Sequence, residues 1–129
     1  MTFATIDLDQ AVRVTAPDGS EVRVLCRTTR GSMAHFSLPS GAVSRAVAHR
    51  SVEEVWYFVS GQGRMWRKRH EEEEIVEVRE GTSVSIEVGT QFQFRCDGRE
   101  ELAAVAVTMP PWPGEGEAYA VAGAWEPTV

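Results

Sequence analysis

The stretch GAVSRAVAHRSVEEVWYFVSG, residues 41–61, carries the side chains that decide both the fold and the candidate chemistry. It runs between two glycines, and its second half consists largely of aromatic and β-branched residues. Such residues favour a strand bounded by turns. The stretch also contains His49 and Glu54, a pair of residue types that commonly act as general acid and base. It therefore predicts a strand region that presents a candidate catalytic pair.

The flanking sequence repeats the strand signal. Residues 21–27, 82–88 and 91–96 alternate apolar and polar side chains, as half-buried strands do. Residues 102–109 are more uniformly apolar, which is typical of a strand covered on both faces. Turn residues such as Asp18-Gly19 separate these segments. Short strands at this regular spacing predict an all-β, antiparallel sandwich or barrel.

The glycines and chemical side chains of 41–61 resemble the first motif of the cupin superfamily, G-x5-H-x-H-x3,4-E-x6-G. Gly41, His49, Glu54 and Gly61 lie on that motif, while Val47 occupies its first histidine position. The resemblance implies a small single-domain cupin (cupin 2 type), an antiparallel jelly-roll or double-stranded β-helix barrel. It covers most of the chain, with a barrel core at about 22–109 inside one domain of residues 1–129. The terminal extensions are expected to pack on the barrel.

The second cupin motif, G-x5-P-x-G-x2-H-x3-N, is matched only in part. Gly81 and Gly89 fall on its glycines, but Glu87 stands at the proline, Phe92 at the histidine and Cys96 at the asparagine. The resemblance implies a site that in metal-binding cupins holds Fe, Mn, Ni or Zn through three histidines and one glutamate.

Two of those four ligand positions, at Val47 and Phe92, offer no lone pair in this chain. Catalytic metals usually have at least three protein ligands. We therefore interpret the metal site as degenerate and expect no native cofactor. A divalent transition metal stays open as an alternative, held by His49 and Glu54 with His35 or Gln91. Gln91 would need a strand slip of one residue, which reverses its face.

Side-chain alternation predicts what lines the barrel. If His49 points inward, Val47 and Arg45 share its face, and if Glu54 points inward, so do Trp56 and Phe58. If Phe92 points inward, Phe94 shares its face in the same way. These residues predict an aromatic pocket with sparse polar groups, which is typical of small-molecule sites. The expected ligand is flat or cyclic, with an anionic or hydroxyl group bound by Arg45.

Three functions fit this pocket. The first is small-molecule binding, with or without metal-independent acid–base chemistry of the isomerase, cyclase or lyase type by His49 and Glu54. The second is a metal-dependent oxygenase or lyase that uses non-motif ligands. The third is a non-catalytic binding or regulatory module. His49 and Glu54 also have a purely structural interpretation, as a buried ion pair. The sequence does not decide whether the protein is an enzyme.

Composition narrows the partners. The chain has 129 residues and a formal net charge of −6, which disfavours nucleic acid and anionic membranes as partners. The first seven residues lack the basic and apolar regions of a signal peptide, so we expect a cytoplasmic location. Two isolated cysteines predict buried thiols rather than a disulfide scaffold.

The resemblance implies a homodimer, with the hairpin around 67–74 and the Pro-rich tail after Met109 as candidate contacts. In that tail, Trp112 is expected to be a hydrophobic anchor rather than a ligand contact.

Overall fold

The structure is a computed structural model and describes residues 3–129, so the first two residues of the N-terminal stretch lie outside it. Its regular elements are a 3₁₀ turn at Leu8–Gln10 and eleven strands. The strands are β1 Val12–Thr15, β2 Glu21–Arg27, β3 Ser32–Leu38, β4 Val47–His49, β5 Glu53–Ser60, β6 Gln62–Arg69, β7 Glu72–Arg79, β8 Ser83–Ile86, β9 Gln91–Cys96, β10 Leu102–Met109 and β11 Ala118–Ala120.

The strands form two sheets with the orders β1-β2-β3-β10-β5-β8 and β11-β4-β9-β6-β7. Every pair of neighbours is antiparallel. Strand β10 lies between β3 and β5, and β9 lies between β4 and β6, so the sheets are assembled from distant parts of the chain. This arrangement confirms the predicted all-β jelly roll.

The core lies between the sheets because alternate side chains of each strand point inward. In β5, Glu54, Trp56 and Phe58 are buried, and the residues between them are exposed. Trp56 and Phe58 from β5 meet Phe94 from β9 in this core, and the three side chains are almost fully buried. The inward face of β5 therefore supplies both core packing and Glu54.

Gly61, the last residue of the stretch that opened the sequence analysis, makes the tight connection between β5 and β6. Its φ is +79°, a conformation that L side chains rarely adopt. A Cβ at this position would also overlap the backbone of Glu101. The motif glycine is therefore required both by its conformation and by the close approach of a second chain segment.

The tail beyond β10 passes Ser32 of β3 and then pairs with β4. The backbone N–H of Trp112 donates a hydrogen bond to Ser32 Oγ at 2.9 Å, and Ala118 of β11 pairs with His49 of β4. The tail therefore borders the region that contains His49. Among the residues described, no helix has the length and hydrophobicity that a membrane crossing requires.

Candidate active site

His49 and Glu54 face each other between the two sheets. His49 ends β4 in the five-stranded sheet, and Glu54 is the second residue of β5 in the six-stranded sheet. Their side chains are both buried, and His49 Nδ1 lies 3.9 Å from Glu54 Oε1. That distance is too long for a hydrogen bond. The predicted pair is therefore brought together without a direct bond.

Both oxygens of Glu54 accept hydrogen bonds. The Trp56 Nε1–H donates to Oε1 at 3.0 Å, and the Thr108 hydroxyl donates to Oε2. Burial raises the pKa of Glu54, the two hydrogen bonds lower it, and the net pKa lies above the ordinary value. This environment favours the protonated carboxyl more than water does.

The His49 imidazole is held by aromatic rings. Phe92 and Trp112 pack against it edge-on, with ring centroids 5.3 and 5.2 Å away. Burial lowers the pKa of His49, while the carboxyl groups of Glu117 and Asp18 raise it, and the net pKa lies below the ordinary value. Nδ1 has no hydrogen-bond partner within residues 3–129. Near neutral pH the site therefore favours a neutral imidazole that is able to accept a proton.

Asp18 is a second buried acid of the site, and sequence analysis missed it. It lies between β1 and β2 and lines the same cavity as His49 and Glu54. Its Oδ1 accepts hydrogen bonds from Ser20 N at 2.9 Å and Ser20 Oγ at 2.6 Å. Burial raises the pKa of Asp18, the Ser20 bonds lower it, and the net pKa is raised. The only sequence signal was the Asp18-Gly19 turn, which is found in many exposed loops.

Glu117, from the tail, is hydrogen-bonded to the connection between His49 and Glu54. Its carboxylate accepts hydrogen bonds from Ser51 N at 2.7 Å, Ser51 Oγ at 2.6 Å and Val52 N at 3.1 Å. Burial raises the pKa of Glu117, but these bonds outweigh it and the net pKa is lowered. Residues 50–52 join β4 to β5, so Glu117 positions His49 and Glu54 relative to each other.

His49, Glu54 and Asp18 face a largely apolar cavity of about 220 Å³ inside the barrel. For comparison, an apolar protein cavity of about 150 Å³ holds one benzene molecule. The space therefore suits one ring with a short substituent. The lining residues used below are Asp18, Val24, Arg27, Ser32, Ala34, Val47, His49, Glu54, Trp56, Phe92, Thr108 and Trp112.

Alternation correctly places three of the predicted pocket residues. Val47, Trp56 and Phe92 line the cavity. Phe58 and Phe94 are buried against Trp56 instead, with ring centroids 6.0 and 5.1 Å from the indole. These two are not among the cavity-lining residues, so they support the wall rather than form it.

The predicted inward orientation of Arg45 is wrong. Its side chain is exposed, it is absent from the cavity lining, and Nε donates a hydrogen bond to the Val129 carbonyl oxygen at 2.9 Å. Strand β4 begins only at Val47, so the alternation that relates Val47 to His49 does not extend back to Arg45. The tail therefore binds the Arg45 guanidinium on the outside of the barrel.

The two non-motif ligand candidates also lie away from the cavity. In β3, Ala34 and Phe36 line the cavity, so His35 between them lies on the opposite face of the sheet, where it pairs with Arg23 and Val105. In β9 it is Phe92 that is in register with Val47, and Gln91 is outside the lining. The strand slip that Gln91 would need does not occur.

The family model "Cupin domain" matches residues 34–108, more than half of the chain. The chain belongs to the cupin family. A sequence comparison with curated proteins finds no match.

Solved structures share the fold of this cupin at low sequence identity. A Klebsiella pneumoniae protein with a double-stranded β-helix domain has a TM-score of 0.72 and 15% identity, over 95% of this chain and 100% of its own. Streptomyces Pac13 with uridine has a TM-score of 0.74 and 15% identity, over 94% and 92%. KdgF from Halomonas has 0.74 and 13%, over 87% and 97%. Identities this low show the common fold alone.

Cupins often bind a metal, but the donor set of this chain does not fit one. Of the four motif positions, only His49 and Glu54 offer a donor atom, and both carboxylate oxygens of Glu54 are already hydrogen-bonded. At the other two positions, Val47 of β4 and Phe92 of β9 pair with each other, and both side chains are apolar. Within residues 3–129, no group of three His, Cys, Asp or Glu side chains is arranged to hold an ion.

The rim of this cupin cavity contains residues that the sequence did not mark. Trp112 was expected only to anchor the tail, but its ring lines the cavity and covers His49. Arg27 and Ser32, from the adjoining ends of β2 and β3, also line it. No motif or alternation pattern pointed to these three residues.

Proposed function

We propose that this cupin binds a small molecule in its barrel cavity and performs metal-independent acid–base chemistry on it, of the isomerase, cyclase or lyase type. The observation that carries the proposal is that His49 and Glu54 face each other in the cavity, both buried, with Nδ1 3.9 Å from Oε1. The pKa of His49 is lowered and that of Glu54 is raised, so the neutral forms of both are favoured. A neutral imidazole and a protonated carboxyl are the base and acid that such reactions need.

For a dehydration, the roles follow from these states. His49 accepts a proton from a carbon of the ligand, and the electron pair of that C–H bond forms the new double bond. The C–O bond of the neighbouring carbon breaks, and Glu54 delivers its proton to the departing oxygen, so that water leaves. Pac13, which shares the fold, is described as a nucleoside dehydratase, which supports placing this class of reaction among the candidates.

The test is a metabolite library incubated with chelator-treated protein in D₂O, followed by mass spectrometry. We expect at least one compound to lose water or gain deuterium. His49→Gln and Glu54→Gln should each slow that reaction by about 10²–10⁴-fold, the usual contribution of a general acid or base. The exposed neighbour Glu53 provides the matched control, since Glu53→Gln changes the same strand outside the cavity. Full activity in His49→Gln would refute the proposal.

A second candidate is a binding or regulatory module without turnover. The observation in its favour is that both Glu54 oxygens are already engaged by Trp56 and Thr108, as in a structural buried acid. In that case, library compounds would raise the melting temperature of the protein while their masses stay unchanged.

We also propose that the protein is a homodimer, as the resemblance implied. Strand β1 is the terminal strand of the six-stranded sheet, and Val12 on it is 66% exposed. An exposed apolar edge strand is a template for pairing with a second chain. Light scattering after size exclusion should give a dimer for the native protein and a monomer for Val12→Lys. The expected cytoplasmic location stays a prediction.

A further inference from the structure

A β-bulge in β2 directs an arginine into the cavity. Val24 pairs with Ala34 and Arg27 pairs with Ser32, so β3 advances by two residues while β2 advances by three. Strict alternation would place Arg27 on the face opposite to Val24. The extra residue restores Arg27 to the inner face, and both side chains line the cavity. Bulges of this kind re-aim a side chain and are enriched beside active sites.

Arg27 begins a row of polar side chains that ends at the candidate acid. Arg27 pairs with Ser32, Ser32 with Thr108, and Thr108 with Glu54, across four neighbouring strands. All four side chains line the cavity. Adjacent strands are about 4.8 Å apart, so the row spans about 14 Å between its outer Cα atoms. A polar row therefore connects the cavity rim to Glu54.

The guanidinium of Arg27 is unengaged within residues 3–129. It takes part in none of the ion pairs or side-chain hydrogen bonds of that part of the chain. By contrast, Arg64 and Arg67 bind Asp97 and Glu74, and Arg45 binds the Val129 carbonyl. Arg27 is also the only lysine or arginine among the described residues that line the cavity. A guanidinium thus faces the rim with its donors free.

We propose that Arg27 binds the carboxylate of the ligand, so that the substrate class is a small cyclic carboxylic acid. This rests on the proposed function, because it places the acid's ring in the cavity where His49 and Glu54 act. A guanidinium binds a carboxylate through two parallel charge-assisted hydrogen bonds. The apolar walls from Trp56 and Phe92 and the cavity volume fit one ring. The anionic group that sequence analysis assigned to Arg45 is thereby assigned to Arg27.

The buried acids of the cavity repel an anion less than exposed carboxylates would. Burial raises the pKa of both Asp18 and Glu54, which favours their uncharged forms. The Arg27 side chain lies exposed at the rim of the cavity. The electrostatic preference of the cavity mouth is therefore set by Arg27.

The test compares benzoate, phenylacetate and 3-phenylpropionate with their uncharged amides, by isothermal titration calorimetry. The series moves the carboxylate outward from a constant ring. We expect at least one acid to bind the native protein at least tenfold more tightly than its amide. In Arg27→Gln this preference should fall to less than threefold, with the affinity for the amide nearly unchanged.

Arg30→Gln is the matched control, because Arg30 is exposed on the loop after β2 and does not line the cavity. It should keep the full preference for the acid. Thermal unfolding of both variants checks that the fold is intact. The proposal is overturned if no acid is preferred over its amide, if Arg27→Gln retains the preference, or if Arg30→Gln loses it equally.

His49→Gln separates this proposal from the proposed function. The acid preference should survive in that variant, because the carboxylate contact is made by Arg27. A protein with an Arg27-dependent preference but no turnover of any library compound would refute the catalytic proposal alone. A protein that turns over uncharged compounds without an Arg27 effect would refute only the substrate class.

Discussion

Thr108→Val tests whether Glu54 changes its protonation state inside the folded barrel. Thr108 is buried, and its hydroxyl donates a hydrogen bond to Glu54 Oε2. Valine has nearly the same shape, so the replacement removes the donor while the packing is largely kept. The Trp56 contact to Oε1 at 3.0 Å stays in place. The variant therefore isolates one hydrogen bond to the candidate acid.

The magnitude depends on the charge of Glu54. A hydrogen bond between neutral groups contributes about 1 kcal/mol to stability, and one to a charged group contributes about 1.5–3 kcal/mol. The free energy of unfolding should therefore fall by about 1 kcal/mol where Glu54 is protonated. It should fall by up to about 3 kcal/mol at higher pH, where Glu54 is ionised.

The sign of the pH dependence follows from the raised pKa. A carboxyl whose folded pKa exceeds its unfolded value stabilises the fold at pH below the unfolded value, here about 4.5. That stability is lost as the pH rises through the folded pKa. Removing the Thr108 donor raises the pKa of Glu54 further, because that bond favours the ionised form. The loss in Thr108→Val must therefore increase with pH.

Urea unfolding, followed by circular dichroism across the acid-to-neutral range, measures this difference. Thr108→Ser is the control: it keeps the hydroxyl and loses only a methyl group, so its loss should be independent of pH. A constant loss in Thr108→Val, or the same pH dependence in Thr108→Ser, would contradict an ionisable Glu54 controlled by this bond.

Three further changes test the fold and the metal interpretation. Gln93→Ala removes one buried and three part-buried side-chain hydrogen bonds of 2.8–3.0 Å, and chemical denaturation should show a loss of about 2–4 kcal/mol. Gly63→Ala places a Cβ against the Arg95 carbonyl oxygen, so it should yield little soluble, folded protein in an expression trial. The double variant Val47→His/Phe92→His supplies two imidazoles at paired positions, and metal analysis after dialysis against zinc should find stoichiometric binding that neither single variant shows.

The sequence predicts the fold well where a strand is uninterrupted and one of its faces is exposed. In β5 the alternation predicted from Glu54, Trp56 and Phe58 is reproduced in the burial of the strand. In β9 it fails at Gln93, which was expected to face outward but is fully buried. The C-terminal tail covers that face, and the Gln93 amide binds the backbone of Trp125. A partner so distant in sequence leaves no periodic signal.

The candidate site was predicted in its centre and missed at its edges for the same reason. His49 and Glu54 lie on a motif, and Val47 and Phe92 follow from strand register. Asp18 comes from a loop, where alternation has no meaning.

Arg45 was expected to line the cavity and lies outside it, whereas Arg27 lines the cavity without having been predicted there. Arg45 precedes the first residue of β4, so alternation was extended beyond the strand. Arg27 follows a bulge, so alternation gives it the wrong face. Both errors arise because the period of two holds only within a regular strand.

Both sheets contribute apolar side chains to the cavity, but the polar row lies on the six-stranded sheet alone. From the five-stranded sheet, β4 and β9 contribute Val47 and Phe92, apolar at two positions where metal-binding cupins place ligands. The six-stranded sheet contributes the polar row that runs from Arg27 to Glu54. In our proposal, a ring bound between the sheets contacts Phe92 on one side and places its polar group along the row. His49, the one basic group on the apolar side, then faces the ring from the side opposite to the acid. That placement suits removal of a proton from one side of the ligand and delivery of a proton from the other.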